Sequence, residues 1–397
     1  MRACLICIIA LTSCEAQQRR HLKIVMYPFI PEYKTVLYDL KTGFEQKHKE
    51  IELLFVDLSS NYYSAGSPND YIGNAKADIY ELDSVFLQDF VRAGKVQTWP
   101  PAALAPENEL LKNAIRGARI GSVQYGVPHW VCGNFLFFRA SDTALSRVKT
   151  LSQLDQALGG SNHPRGKALM TDLKGKSTLG EFYLETAFDH YATWSAVSQH
   201  LDVIDPSLQQ DLVHLTHLCD AGYCRNQSYH DSKPGIYGRQ FARGNGRALV
   251  GYSETLHQVL SEANDACSPE DKCLADKDID VVEFPTDDSG LHQISWVDSY
   301  VLDKDCNSDC KSDATAFIDY ISSDDVYKQI LLRTGSAPTY LLPAKASLYA
   351  DNEVDAAAHL YPKLRSIIET ADAPSDIGLN EKLRAIGKTL DSQLPQP

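Results

Sequence analysis

Two residues offer this sequence a nucleophile and a base: Cys132 and Glu254. Cys132 lies in an apolar, aromatic-rich run, residues 123–139, reading Val-Gln-Tyr-Gly-Val-Pro-His-Trp-Val-Cys-Gly-Asn-Phe-Leu-Phe-Phe-Arg. A free cysteine in such surroundings is ordinarily a small buried hydrophobe. Glu254 stands where a strand feeds a helix, in Gly244-Asn-Gly-Arg-Ala-Leu-Val-Gly-Tyr-Ser-Glu254. A glutamate there is either a favourable charge on the helix dipole or a general base, and its position alone leaves both open. A thiol at its reference pKa of ~8.5 is only slightly ionised at neutral pH, so a nucleophilic cysteine needs such a base.

Counting cysteines singles out Cys132. The ten are Cys4, Cys7, Cys14, Cys132, Cys219, Cys224, Cys267, Cys273, Cys306 and Cys310. The first three fall in an N-terminal stretch with an early arginine and about ten apolar residues, the form of a secretory signal and too short for a bilayer span of ~20 residues. Leu11-Thr-Ser-Cys14 also resembles a bacterial lipobox, which would make Cys14 an acylated anchor; an ordinary signal cut a few residues later is the alternative. In an exported chain the close pairs Cys219/Cys224, Cys267/Cys273 and Cys306/Cys310 are expected as local disulfides. Such short loops gain less than the ~3 kcal/mol of a fifteen-residue loop, so they act as clips. Zinc is the rival reading, but no second ligand pair at finger-like spacing accompanies them. Cys132 is then the odd thiol of an exported protein.

The elements that would position these residues alternate as strand and helix. Strands are expected at 22–29, 50–57 and 77–83, with helices at 35–48 and 84–93. In sheets of this kind ligands sit beyond the carboxyl ends of strands, which makes Tyr27, Tyr63 and Asp83 candidates to line a cleft. Pro128 is expected at the entrance of a strand running from Trp130 to Phe138, with Cys132 in its middle. A long amphipathic helix is expected over 180–200, and residues 294–302 read as a strand containing Asp298. An aspartate inside an apolar strand needs a partner or a ligand. Lys174-Gly-Lys-Ser-Thr178 has the tail of a phosphate loop without its upstream glycine. Asn226-Gln-Ser is a glycosylation sequon that matters only in a eukaryotic secretory route.

The 397 residues include 38 basic and 52 acidic side chains, a formal charge of −14 with no basic stripe. Nucleic acid is therefore not an expected partner. The pattern is that of an α/β protein with two periplasmic-binding-protein-like (type II) lobes, each a mixed sheet flanked by helices, with the ligand cleft between them. Residues 1–20 form the leader, 21–132 plus 298–345 the first lobe, and 133–297 plus 346–397 the second. On periodicity alone, most chains of this shape are passive binders.

Specific segments alter that balance. Tyr125-Gly-Val-Pro-His-Trp-Val-Cys132-Gly-Asn-Phe-Leu-Phe-Phe-Arg139 resembles the nucleophile segment of bacterial thiaminase I, and Gly244 to Glu254 resembles that family's glutamate segment. Asp78-Ile-Tyr-Glu-Leu-Asp-Ser-Val-Phe-Leu87, Leu22-Lys-Ile-Val-Met-Tyr-Pro-Phe29, Tyr183-Leu-Glu185 and Tyr340-Leu-Leu-Pro-Ala344 are similar to it in the same order. The departures are insertions at 66–76, 205–235 and 262–278, and a poor match over the last fifty residues. The resemblance implies a transferase that replaces the thiazole of thiamin by an amine, a thiol or water through a Cys132–pyrimidine adduct. It assigns Glu254 as base, with Tyr27, Tyr63, Asp83, Tyr252 and Asp298 holding the substrate. It implies no metal or cofactor, a monomer, and membrane contact only through the possible anchor. The alternative is a non-catalytic thiamin- or pyrimidine-binding protein of a transport system. A cysteine protease would need a histidine partner, and only His129 is near in sequence.

Overall fold

The computed structural model describes residues 19–58, 62–64, 66–72, 76–159, 169–219, 221–230, 235–266 and 274–395. Its strands are β1 (Arg20–Val25), β2 (Ile51–Phe55), β3 (Ile79–Asp83), β4 (Val96–Gln97), β5 (Arg119–Ile120), β6 (Val123–Gln124), β7 (Gly126–Cys132), β8 (Phe135–Arg139), β9 (Leu169–Met170), β10 (Ala248–Gly251), β11 (Ile279–Glu283), β12 (Trp296–Asp303) and β13 (Leu342–Pro343). The helices that matter for the site are α1 (Ser84–Arg92), α2 (Lys176–Tyr191), α3 (Thr255–Ala266) and α4 (Leu379–Gln393).

Two sheets organise the chain. The larger has the order β13-β7-β12-β3-β1-β2, with β4 also on β12; the smaller has the order β11-β8-β10-β9. In the larger, β1 is parallel to β2 and β3, while β12 runs antiparallel to both β3 and β7. In the smaller, β8 is antiparallel to β10 and β11. Each is therefore a mixed sheet, as the βαβ alternation implied.

The expected strand 130–138 is in fact two strands in two different sheets. The chain leaves the larger sheet at Cys132 and enters the smaller at Phe135, with Gly133 and Asn134 between. Cys132 is thus the last residue of its strand, at the crossing, and not its middle. Glycine is required at the crossing because a Cβ on Gly133 would lie 2.8 Å from the Ile294 carbonyl oxygen, on the segment that returns the chain to β12. Pro128 also departs from expectation. It is the third residue of β7, opposite Ser299, beside a register shift that takes the pairing of Asp298 and Ser299 from Trp130 to Pro128 and skips His129. An irregularity of this kind is where a paired strand tolerates proline.

Helix α2 replaces the amphipathic helix expected over 180–200. Every residue from Leu179 to Asp189 is buried, so it has no solvent face and no amphipathic signature. It can be central because α4 packs on it at backbone contact. A Cβ on Gly180 would meet the Leu383 carbonyl oxygen at 2.1 Å, and one on Gly387 the Lys176 carbonyl oxygen at 1.8 Å. Two short helices, Asn352–Ala357 and Tyr361–Ile368, follow toward the C-terminus, the second with proline in its first turn. Strand β11 was not anticipated; its five residues are too short to show a period.

Arg20 already belongs to β1, and its guanidinium holds Asp313 through two bonds of 2.8 and 2.9 Å. The disulfides Cys219–Cys224 and Cys306–Cys310 are formed, with Cα separations of 6.4 and 5.3 Å, and Cys132 is free. The Cys267/Cys273 pair and Cys14 lie outside the described residues. No helix among the described residues is long and apolar enough to cross a membrane.

Replacing Gly387 by alanine should destabilise the protein by about 1–3 kcal/mol, because the helices can accept a methyl group only by moving apart. Chemical denaturation of the variant checks this, and an unchanged midpoint would show that the α2–α4 contact yields without cost.

Candidate active site

The larger sheet presents its functional side chains at neighbouring strand ends. Asp83 and Asp298 face each other directly across β3 and β12. Such pairs share a face, with Cβ atoms about 4.5–5.5 Å apart. Cys132 faces Trp296 on the other edge of β12, two residues before Asp298, so its thiol projects from that same face. The Cys132 Sγ lies 3.8 Å from the Trp296 carbonyl oxygen.

The two aspartates are used differently. Asp83 caps α1 by accepting from the Val85 amide at 2.9 Å through Oδ1, and accepts from the Tyr63 hydroxyl at 2.7 Å through Oδ2. The Tyr63 ring stacks on Phe29 and on Phe86, with centroids 6.0 and 5.8 Å away. Asp298 is buried, yet its Oδ1 has no hydrogen-bond partner among the described residues. A buried carboxylate oxygen left unpaired is costly, and a ligand donor there would relieve it. Tyr27 follows β1 and donates its amide to Glu81 Oε2 at 2.8 Å. The other Glu81 oxygen lies 2.5 Å from His129 Nδ1, in a buried pair closed in by the rings of Trp130, Tyr300 and Tyr327. His129 is thus occupied by a structural partner, which gives a cysteine–histidine dyad no support.

The smaller sheet supplies the opposite wall. Tyr252 and Glu254 follow β10 in the turn that opens α3. The Tyr252 hydroxyl donates to Glu181 Oε2, while the Trp296 indole donates to Glu181 Oε1 at 2.7 Å. Asn134 donates to Glu181 Oε1 at 3.3 Å and to Glu185 Oε1 at 2.9 Å. Glu181 and Trp296 were not anticipated as site residues. The available signal was the spacing Glu181, Glu185, Asp189 along an otherwise apolar helix, which stacks three carboxylates on one buried face.

Two adjoining spaces open between these walls. One, of about 250 Å³, is bordered chiefly by Tyr27, Phe29, Tyr63, Tyr252, Glu254 and Gln258. The other, of about 140 Å³, is bordered by residues including Tyr63, Asp83, Glu181, Tyr252, Trp296 and Asn380. Tyr63 and Tyr252 border both. Together they fall within the range of small-molecule sites, roughly 300–1,000 Å³. Tyr27, Tyr63, Asp83, Tyr252 and Glu254 are thus brought to one cleft. Cys132 and Asp298 border neither space and reach it through the field they share with those residues.

That field is negative. Burial pushes Asp83 up to about 6, Glu181 to about 7 and Glu254 to about 7, with the charge of Glu181 adding to the shift of Glu254. Asp298 is raised by burial and then by Asp83, Glu81 and Glu254. Burial also raises the Cys132 thiol, and Asp298, Asp83, Glu254 and Glu181 add to it in that order. Among the described residues, none that borders the two spaces is lysine, arginine or histidine. A site built this way keeps its thiol protonated when empty and favours a cationic ligand. Among the described residues no group of three histidine, cysteine or acidic side chains is arranged to hold a metal ion.

Residues 133–268 match the family model of the thiaminase-1 domain, a stretch that contains Glu254 and begins one residue after Cys132. Thiaminase-1 of Paenibacillus thiaminolyticus is 26% identical over 387 residues, covering 94% of this chain and 87% of that protein. The chain is thus similar in sequence to thiaminase I over most of its length. Clostridium botulinum thiaminase I, solved in complex with thiamin, superposes with a TM-score of 0.79 at 23% identity, covering 94% of this chain and 100% of that one. A solute-binding protein of an ABC transporter from Agrobacterium radiobacter, solved with ribitol, superposes with a TM-score of 0.71 at 12% identity over 95% of this chain and 94% of its own. The fold shared by thiaminase I and this relative is therefore that of the periplasmic binding proteins.

The direction of the Glu254 shift has a consequence for stability. A carboxyl raised from 4.5 to about 7 stabilises the fold below its unfolded value, and that contribution is lost as pH rises through about 7. Glu254→Gln should therefore raise the thermal midpoint at pH 8 and leave it little changed at pH 5. Equal effects at the two pH values in thermal denaturation would show that Glu254 titrates normally.

Proposed function

We propose that this protein cleaves thiamin, replacing its thiazole with a second nucleophile through a covalent adduct on Cys132. The observation that carries the proposal is that the unpaired Cys132 thiol and Asp298 project from the same sheet face as Asp83, beside the cleft that Asp83 and Glu254 border. The relationship to thiaminase I supports thiamin as the substrate.

The chemistry follows from the residue types. Glu254 removes the proton of Cys132, which the surrounding carboxylates otherwise hold in place; the positive thiazolium offsets that negative field. The thiolate adds to the pyrimidine carbon next to the one bearing the methylene, and aromaticity is lost. The methylene–nitrogen bond then breaks, and its electron pair leaves with the thiazole, now neutral. Glu254 gives its first proton to solvent, takes that of the second nucleophile as this adds to the methylene, and returns it to the sulfur of Cys132, whose expulsion restores the ring. A base with a pKa near the working pH serves both proton transfers. Tyr27, Tyr63 and Tyr252 provide faces and hydroxyls for the aminopyrimidine, and Asp83 and Asp298 its carboxylate partners. These roles draw on the protein's own side chains.

The same architecture also supports a second reading, a binding protein that delivers thiamin unaltered to a transporter, favoured by the likeness to solute-binding proteins. Passive binding gives no reason to place an unpaired thiol beside a raised carboxyl. The two disulfides support action outside the cytoplasm. A lipid anchor at Cys14 and a monomeric state are parts of the same proposal.

Chromatography of thiamin incubated with an amine or thiol acceptor tests it. The protein should release thiazole, and Cys132→Ser should lower the rate on the order of a thousandfold or more while still binding thiamin. Binding without thiazole release by the unmodified protein would establish the transport reading instead. With Glu254→Gln, intact-mass measurement should detect less of the Cys132–pyrimidine adduct.

A further inference from the structure

The thiamin-cleaving chemistry leaves α4 without a role, although Asn380 and Leu383 border the inner space beside Tyr63 and Asp83. Both residues are only 5% exposed. We propose that α4 is the specificity wall of the site, and that Asn380 is a positioning residue that sets the Tyr63 loop for the aminopyrimidine. The inference rests on the thiamin reading above.

Three hydrogen bonds connect the start of α4 to the half of the molecule built on the larger sheet. The Gly378 amide donates to Asp89 Oδ1 at 2.9 Å, the Asn380 side-chain amide donates to the Tyr63 carbonyl oxygen at 3.1 Å, and Arg384 donates to the Ser64 carbonyl oxygen at 2.9 Å. Two of the three grip the short turn Tyr62–Ser64, whose tyrosine hydroxyl donates to Asp83. The other face of α4 is fixed on α2 by the Gly180 and Gly387 contacts, which leave no room for a Cβ. Helix α2 carries Glu181, the partner of Tyr252. A single rigid path therefore runs from Tyr252 through Glu181, α2 and α4 to Tyr63. Tyr252 and Tyr63 are the two residues that border both spaces. This path, together with the Trp296 bond to Glu181, holds the two aromatic walls at their separation. Residue choice on α4 would then tune which ring fits between them.

A purely structural role for Asn380 predicts a different result from a positioning role. Asn380→Asp keeps the size of the side chain but cannot donate to the Tyr63 carbonyl, and Asn380→Ala removes the side chain. Both should speed amide exchange in residues 62–72 and raise KM for thiamin by about tenfold, with kcat within about threefold of the unmodified enzyme. Arg384→Ala should move both quantities in the same direction by less, which keeps the idea testable if an Asn380 variant does not fold. A folded Asn380→Asp with unchanged KM would overturn the inference, as would loss of kcat with KM constant. If the unmodified protein does not cleave thiamin, the functional reading fails. Exchange of the 62–72 segment then decides the positioning by itself, unchanged exchange in Asn380→Asp overturning it.

Discussion

The site is governed by a shortage of positive charge. Asp83 and Asp298 meet across a strand pair, Glu181 of α2 and Glu254 approach from the other side, and among the described residues no basic side chain borders the spaces between them. Burial raises the carboxyls and the thiol, and for Asp298 and Cys132 the neighbouring carboxylates add to that rise. An empty cleft of this kind is quiescent. Entry of a cation would lower the cost of each of these ionisations.

The fold makes that crowding possible. A binding-protein architecture brings two sheets together around a cleft and crosses between them at few points. Cys132 is placed at one crossing, with Gly133 allowing the outgoing and returning segments to touch. The hydrogen bonds of Glu181 to Tyr252 and Trp296 then bridge residues of both sheets within the site itself. An ordinary binding protein needs only the cleft. The addition of a thiol at the crossing and a glutamate on the facing turn is a small change in sequence with a large change in available chemistry.

Many residues of the candidate site stood out in the sequence because they obey simple rules. Cysteine pairing left Cys132 unpaired, and strand ends marked Tyr27, Asp83 and Glu254. Asp298 stood out as an aspartate inside an apolar strand. Glu181 was hidden for a physical reason: in a helix buried on all sides, hydrophobic periodicity vanishes, and a functional carboxylate has no apolar face to contrast with. The break at Gly133 was hidden because the apolar run continues through it, although its two halves belong to different sheets. Pro128 was misplaced because a register irregularity, which only the partner strand defines, lets proline stand inside a ladder.

Sequence by itself determined the class of fold, the unpaired thiol, the acidic balance and, through segment resemblance, the substrate to consider. Those depend on local periodicity, residue counts and linear motifs, all of which are properties of the chain alone. Tertiary structure decided that Asp83 and Asp298 face each other, that Glu181 links Tyr252 to Trp296, and that α4 reaches back to the Tyr63 turn. Each is a contact between residues far apart in the chain. Register, close helix packing and burial create such contacts, and these exist only once the two sheets have come together.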